Sequence, residues 1–144
     1  MADIAVVAAS VGVVFPASAE IYNVIAAEAI TAGQALYLNA SGTYGLADAN
    51  GGIETQGFRG VALEDASAGE ALSMLKKGIL AGYTLGTYND EVYLSDTAGA
   101  FDTTIGTVVV KCGRVMSLAD RSLTEVLYVE ADWLREWGSA GEVP

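Results

Sequence analysis

Histidine is absent from this chain of 144 residues, and its absence removes several kinds of chemistry at once. Histidine is the commonest general base and the commonest metal ligand, and the Ser-His and Cys-His arrangements of nucleophilic catalysis require it. The only cysteine, Cys112, lies in the apolar run 108–112, so it can form no internal disulfide and we expect it to be buried. The sequence therefore predicts a protein that is not an enzyme and that has no cofactor and no metal site.

Basic residues are also scarce. Seven lysines and arginines stand against eighteen aspartates and glutamates, which gives a net charge of −11 at pH 7. A surface of this sign repels phosphate backbones and anionic lipid headgroups. No apolar stretch reaches the roughly 20 residues that a helix needs to cross a bilayer. We therefore expect a soluble protein with no direct nucleic-acid or membrane contacts.

Apolar residues are abundant by comparison. They make up 52% of the chain, whereas charged residues make up 17%. A small β-protein with exposed apolar area usually hides it in an oligomer or against a partner, so this composition favours an assembly protein. The alternative is a well-filled core that is rich in alanine.

Strand-forming residues occur in short runs separated by Gly, Asn and Asp, a pattern that is typical of antiparallel β-structure. The predicted strands are residues 21–25, 34–38, 58–63, 71–75, 78–83, 92–95, 107–112 and 124–130. Near the end, Asp132 is a candidate N-cap, and Trp133, Leu134 and Trp137 follow at helical spacing. The predicted fold is all-β, a small barrel or sandwich with an extended N-terminal arm and a short C-terminal helical turn.

One strand and turn of the sequence is repeated. Residues 35–42 return as residues 91–99, and each copy is followed by a glycine-led apolar run that ends in an acid. Tyr37 and Tyr93 are 56 positions apart, and Val61 and Val115 are 54 apart. Two stacked units of this kind can close one β-core. We therefore expect a β domain of residues 20–137 with two related halves and a tail of residues 138–144; the alternative is a chance likeness between glycine-bounded strands.

Residues 1–19 form a separate apolar segment that ends near Pro16. Asp3 stands where a signal peptide has basic residues, so we expect this segment to stay in the working protein. It is either an arm that adds as a strand to another protein or the first core strand of the domain. The candidate binding residues of the arm are Ile4, Val6, Val7, Val13, Val14 and Phe15.

Four glycine-spaced β-motifs follow one another along the chain, at residues 32–39, 60–63, 77–82 and 92–96. In this order, over about residues 20–133, they resemble the small capsid decoration, or cement, proteins of tailed bacteriophages. The resemblance implies a compact β-protein, usually a trimer, that binds outside the icosahedral head at three-fold and quasi-three-fold positions. It also implies that residues 2–15 pair with the major capsid protein.

The expected function is therefore non-enzymatic stabilisation of a phage head. The protein is expected on the outer surface of the capsid in the virion, after synthesis in the host cytoplasm, as a homotrimer bound to the major capsid protein. Trp133, Leu134 and Trp137 are expected to contact the capsid or another subunit, and deletion of residues 1–15 is expected to leave a folded domain that no longer binds heads. The alternative is a stand-alone β-rich binding module, such as a fibre base or a carbohydrate-binding domain; an enzyme built on lysine or carboxylate groups is a third class.

Overall fold

The computed structural model describes residues 3–118 and 125–134, and in these ranges the chain is antiparallel β-structure curled into a half-barrel. The predicted all-β class is therefore confirmed. The helical elements in the described ranges are two 3-10 turns, and neither is long enough to span a membrane. The strands are β1 (Ala5–Val6), β2 (Gly12–Val14), β3 (Glu20–Ile25), β4 (Ala35–Leu38), β5 (Tyr44–Leu46), β6 (Phe58–Ala62), β7 (Ala71–Ala81), β8 (Tyr83–Thr84), β9 (Glu91–Leu94), β10 (Phe101–Asp102), β11 (Lys111–Met116) and β12 (Val126–Glu130).

Hydrogen bonds to Asn39 shape the turn between β4 and β5. Its Oδ1 atom accepts from the backbone N–H groups of Ser41 at 2.9 Å and Thr43 at 3.1 Å. Gly42 follows with φ +88°, a conformation that glycine adopts without strain. Together these interactions reverse the chain within a few residues. The predicted strand and turn of the first repeat therefore form a β-hairpin.

The two copies of the sequence repeat occupy equivalent places in the sheet. In the first copy, β4 pairs with β5 as a hairpin and with β6 on its other edge. In the second copy, β9 pairs with β10 and with β11 in the same way. The strand order is β10-β9-β11-β12-β7-β6-β4-β5. This order therefore consists of one four-stranded unit, β10-β9-β11-β12, followed by a second, β7-β6-β4-β5, in which the corresponding strands occur in the reverse order.

Each copy also has a β-bulge beside a glycine at the same place. Leu36 lies opposite Gly60, and the register of β4 against β6 then shifts by one residue. Val92 lies opposite Gly113, and the register of β9 against β11 shifts there as well. A bulge increases the local twist and bends the strand that carries it. Equivalent bulges therefore bend the two halves at matching positions.

Strand β7 joins the two units. Ile79 and Leu80 each pair with both β2 and β12, so these two strands lie on opposite edges of β7. Met74 and Leu75 likewise pair with both β3 and β6, and Lys77 pairs with both β3 and β12. It follows that β2 and β3 cover one edge of β7. Strands β6 and β12, one from each half, share the other edge.

Alternation along the strands divides the apolar side chains between a larger and a smaller core. In β4, Ala35 faces the larger core and Leu36 the smaller, and in β7 Leu75 and Met74 divide in the same way. The larger core contains residues of both halves, whereas the smaller one contains only residues of the first half, from Ala26 to Met74 in the sequence. The largest buried side chains of the larger core are Phe58, Phe101, Leu75, Leu80, Leu94 and Leu127.

Three of the predicted strands have clearly different bounds in the structure. The strands predicted at 71–75 and 78–83 are largely one strand, β7, which continues to Ala81. The strand predicted at 107–112 begins only at Lys111. Its predicted start is a loop because the backbone N–H and the hydroxyl group of Thr107 donate to the Asp96 carboxylate at 2.8 Å and 2.9 Å. This contact between distant residues replaces the local strand preference.

Candidate docking surface

Residues 3–15 lie along the sheet of their own chain. Strand β1 pairs with β8, and β2 pairs with β7. The N–H group of Ile4 donates to the Phe101 carbonyl at 2.8 Å, and that of Val7 donates to the Gly82 carbonyl at 2.9 Å. In the single chain this segment is thus an edge of the domain's own sheet, and its described residues are exposed or half-buried. Its pairing with a capsid protein stays a prediction.

The six candidate residues of this segment point in different directions. Ile4 and Val13 pack against the larger core, and Val14 is half-buried. The outward group consists of Val6, Val7 and Phe15, which are 38%, 55% and 58% exposed. We call this outward group the N-terminal surface. It is the part of the predicted arm that another protein can contact while the sheet stays intact.

Phe15 has an unusual backbone conformation for an aromatic residue. Its φ is +58° and its ψ is +65°, in the left-handed region, and Pro16 follows it. The N–H group and the hydroxyl group of Ser18 both donate to the Phe15 carbonyl at 3.1 Å, which fixes the turn. The left-handed conformation costs a non-glycine residue about 1–2 kcal/mol, and such strain is concentrated at functional sites. The Phe15 side chain is therefore held in solvent at the expense of backbone strain.

Trp133 is fixed against three strands. Its indole Nε1–H donates to the Arg59 carbonyl at 2.7 Å, and its ring centroid lies 5.0 Å from that of Tyr22. The Lys76 ammonium lies 5.3 Å from the centre of the Trp133 ring, where a cation is attracted to the π-face. Lys76 also lies 3.8 Å from the Glu20 carboxylate. Trp133 is therefore held in place and still 36% exposed.

Of the other two residues of the predicted C-terminal contact, the structure describes Leu134 but not Trp137. Leu134 is 99% exposed, and its N–H group donates to the Asp132 Oδ1 atom at 3.1 Å, which forms a turn. Trp137, and with it the rest of the predicted helical turn, lies outside the described residues. The structure thus brings Trp133 and Leu134 to one exposed place on the sheet.

Strand β3 supplies exposed apolar side chains that the sequence reasoning did not select. Ile21, Tyr22 and Ile25 are 40–42% exposed, and Tyr22 contacts Trp133. The available signal was the run of residues 21–25, in which apolar residues occur on both faces of the strand and do not alternate with polar ones. Because successive strand residues point to opposite faces, Tyr22 shares its face with Trp133, whereas Ile21 and Ile25 point to the other face. We call Tyr22, Trp133 and Leu134 the β3–Trp133 surface.

Two carboxylate–tyrosine pairs on strands β9 and β12 have pKa shifts that lead away from neutrality. The Tyr93 hydroxyl donates to Glu91 at 2.7 Å, and this hydrogen bond, helped by Lys111 and Arg114, lowers the pKa of the carboxyl. The Tyr128 hydroxyl donates to a neighbouring carboxylate at 2.6 Å, which raises the pKa of Tyr128 to about 12. A general acid or base needs a pKa near the working pH. These groups are suited to holding strands together.

Cys112 is inaccessible in the folded protein. Its side chain is 1% exposed, and burial raises the pKa of its thiol. Because the thiolate is the reactive form, we expect no reaction with a thiol-specific reagent at pH 8 in the native protein and complete reaction after unfolding in guanidinium chloride. Colorimetric thiol titration checks this. Rapid labelling of the native protein would contradict the burial of Cys112.

A small pocket near the N-terminus is bordered by three carboxylates, those of Asp3, Asp96 and Asp102. Asp3 accepts a hydrogen bond from the Ser95 hydroxyl, and Asp102 accepts one from the Thr104 N–H group at 3.0 Å. Within residues 3–118 and 125–134, no three acidic or cysteine side chains are placed to hold a metal ion together. These carboxylates therefore serve to shape the loops around the pocket.

The sequence matches no protein-family model, and no curated protein matches it. The surfaces of this chain itself are therefore the basis for assigning its function. They are the N-terminal surface and the β3–Trp133 surface, both of which expose apolar side chains.

Proposed function

We propose that this chain is a non-enzymatic capsid decoration protein, which binds the outside of a tailed-phage head and stabilises the shell. The observation that carries the proposal is the N-terminal surface, in which Val6, Val7 and Phe15 are exposed on a segment tied down by main-chain hydrogen bonds. Exposed apolar side chains on an ordered segment can be buried by a partner with little further loss of conformational freedom. The resemblance of the glycine-spaced motifs to decoration proteins supplies the identity of the partner, the major capsid protein.

The contact is proposed to use the side chains that are already exposed. Release of the whole segment as a free arm would break the pairing of β2 with β7 and expose Ile4 and Val13, which pack on the larger core. Docking through Val7 and Phe15 keeps these interactions. We therefore place the capsid contact on the N-terminal surface of the folded chain. The homotrimer that the resemblance implies stays a prediction, and the mass of the purified 14.8 kDa chain in solution checks it.

The variant Phe15→Gly is expected to weaken head binding while leaving the stability of the fold nearly unchanged. Relief of the left-handed strain, about 1–2 kcal/mol, offsets the extra freedom that glycine gives the unfolded chain, about 0.5–1 kcal/mol. The free energy of unfolding is therefore expected to change by less than about 1 kcal/mol. Head binding is expected to weaken by about tenfold or more, because an exposed aromatic anchor is lost. Urea unfolding and co-sedimentation with heads of the phage that encodes the chain measure the two effects.

Asn89→Gly is the matched control for this variant. Asn89 is the other non-glycine residue of the described ranges with a positive φ, +70°, and it lies in the loop before β9. The Asn89→Gly variant should leave head binding unchanged. Native affinity of the Phe15→Gly variant for heads would exclude Phe15 as a contact, and a native chain that does not bind heads would contradict the proposed function as a whole.

A stand-alone binding module is the second candidate, and the exposed Trp133 ring is the observation that favours it. Aromatic rings are common platforms for ligands with apolar faces, such as sugars. On this alternative, the chain would bind an oligosaccharide on a glycan array, and Trp133→Ala would abolish that binding. Glycan binding without head binding would favour this candidate over capsid decoration.

A further inference from the structure

The outer edge of β3 is a short free sheet edge. Within residues 3–118 and 125–134, β3 forms its strand pairing with β7 alone. Beyond its end, the Ala27 N–H group donates to the Tyr44 carbonyl at 2.7 Å, so β5 covers the edge there. Before its start lies the 3-10 turn Pro16–Ser18. The free edge therefore extends over residues 21–25, with Asn23 at its centre.

The direction of the backbone groups along this edge follows from two hydrogen bonds. The Ala26 N–H group donates to the Glu70 carbonyl at 2.9 Å, beside β7, whereas that of Ala27 points to β5 on the opposite side. Successive residues of a strand direct their N–H and C=O groups to alternate edges. The residues that direct these groups to the free edge are therefore Ile21, Asn23 and Ile25.

This edge lacks the usual protection against pairing with another strand. Natural sheet edges carry lysine, proline or a bulge, or they are covered. Residues 21–25 contain no charge and no proline, and Ile21, Tyr22 and Ile25 are exposed. The bulge of this strand pair lies just before them, between Glu20 and Ile21. An edge of this kind is expected to be covered in the working assembly.

We infer that a second copy of the same chain covers it, with the two β3 strands antiparallel about a two-fold axis at Asn23. In this register Ile21 lies opposite Ile25 of the second copy, and Asn23 lies opposite its own equivalent. The residues that direct hydrogen-bonding groups outward then face each other, as an antiparallel ladder requires. Tyr22 lies opposite Val24 of the second copy. A shift of one residue would pair outward groups with inward ones.

Charge restricts contact between two copies to an uncharged place such as this one. The net charge of −11 makes two copies repel each other over most of their surfaces. Residues 21–25 are uncharged, and in the inferred register Glu20 lies opposite Ala26 of the second copy. No carboxylates are therefore placed opposite each other across the ladder. A two-fold contact of this kind is self-complementary, since the same five residues supply both sides.

The pairing has a role that rests on the proposed function. On an icosahedral shell, two-fold axes lie between neighbouring three-fold positions. Copies bound at adjacent positions could then be linked through β3, in addition to their contacts with the capsid. Pairing would multiply individually weak attachments through effective concentration.

A single cysteine at Asn23 tests the pairing directly. Directly opposed, hydrogen-bonded residues of an antiparallel pair have Cα atoms about 5.5 Å apart, which is within the range that a disulfide spans. The native chain is a suitable background because Cys112 is buried. After mild oxidation of Asn23→Cys, we expect most of the protein to run as a cross-linked dimer on a non-reducing gel.

Ser41→Cys, in the exposed β4–β5 turn, is the control for random collision and should cross-link only slightly. Equal cross-linking of the two variants would overturn the inference.

Asn23→Pro provides a second measurement. Proline lacks the N–H group that Asn23 directs outward and sacrifices no backbone hydrogen bond to β7, although the Ser73 hydroxyl loses its 3.3 Å hydrogen bond to the Asn23 side chain. We expect self-association through β3, measured by sedimentation equilibrium, to weaken by about tenfold or more, with thermal unfolding little changed. Unchanged association would contradict the pairing.

Residues 135–144 are the competing occupant, since they follow the exposed Leu134 in the sequence. If Asn23→Cys cross-links only after these residues are deleted, they cover the edge and the two-fold pairing is wrong. Failure of the pairing is distinguishable from failure of the proposed function. Head binding without cross-linking excludes the pairing alone, whereas cross-linking without head binding excludes capsid decoration alone.

Discussion

Gly113→Ala is expected to lower the free energy of unfolding by about 4 kcal/mol or more, and Gly60→Ala by about 3 kcal/mol. A Cβ atom at position 113 would overlap the carbonyl oxygen of Tyr128. A Cβ atom at position 60 would lie 2.6 Å from the Leu75 carbonyl oxygen and 2.7 Å from the Met74 Cγ atom. Backbone atoms in a paired strand cannot move away without breaking the ladder. Both substitutions should therefore disrupt the bulge of their own half.

Gly12→Ala and Gly86→Ala are the matched controls. Neither glycine has a positive φ, and a Cβ atom at either position would meet no heavy atom within 4 Å. Their free energies of unfolding should stay within about 0.5–1 kcal/mol of the native value. Urea denaturation measures all four variants. Similar losses in all of them would mean that glycine acts through the flexibility of the unfolded chain and not through close approach at the bulges.

Deletion of residues 1–15 is expected to destabilise the folded chain by about 3 kcal/mol or more, because Ile4, Val11 and Val13 pack against the larger core. The deletion would also remove the partner of one edge of β7 beside Leu80 and uncover Phe101, whose carbonyl accepts from Ile4. From the sequence alone, the truncated chain was expected to stay folded. The packing in the structure predicts instead that truncation weakens the fold itself.

The urea midpoint of the truncated chain measures this effect. A Val6→Ser and Val7→Ser double variant is the control, since both side chains are exposed and their replacement should cost less than about 1 kcal/mol. An unchanged midpoint after truncation would contradict the role of residues 1–15 in the core. A large loss means that truncation cannot separate binding from folding, which is why Phe15→Gly is the sharper test of head binding.

Most strands could be predicted because their signals are local. Glycine and asparagine mark the turn that follows the predicted strand β4, whereas β5, a strand of three residues with Gly45 at its centre, was not predicted. The start of β11 could not be predicted, because the loop at Thr107 depends on a hydrogen bond to Asp96 in a different part of the chain. The continuity of β7 through Gly78 was missed for a related reason, since strands on both of its edges support it there.

The sequence predicts which segments form the candidate site, but it does not predict which of their side chains point outward. An almost continuous apolar run contains no alternation that would show which residues face the core. Pairing with β7 and β8 fixes that choice, so Val13 points inward while Val7 and Phe15 point outward. The left-handed backbone of Phe15 has no sequence signal, because phenylalanine rarely adopts it. Tyr22 became part of the candidate site only through its contact with Trp133.

The sharing of β7 between the two repeated units affects how the molecule responds to load. Each unit supplies one strand to the same edge of β7, and β2 and β3 bind its other edge. Neither unit can be pulled away without disturbing the strand on which the other depends. A force applied at one end of the sheet is therefore transmitted through β7 to the other end, and the two units resist it as a single body.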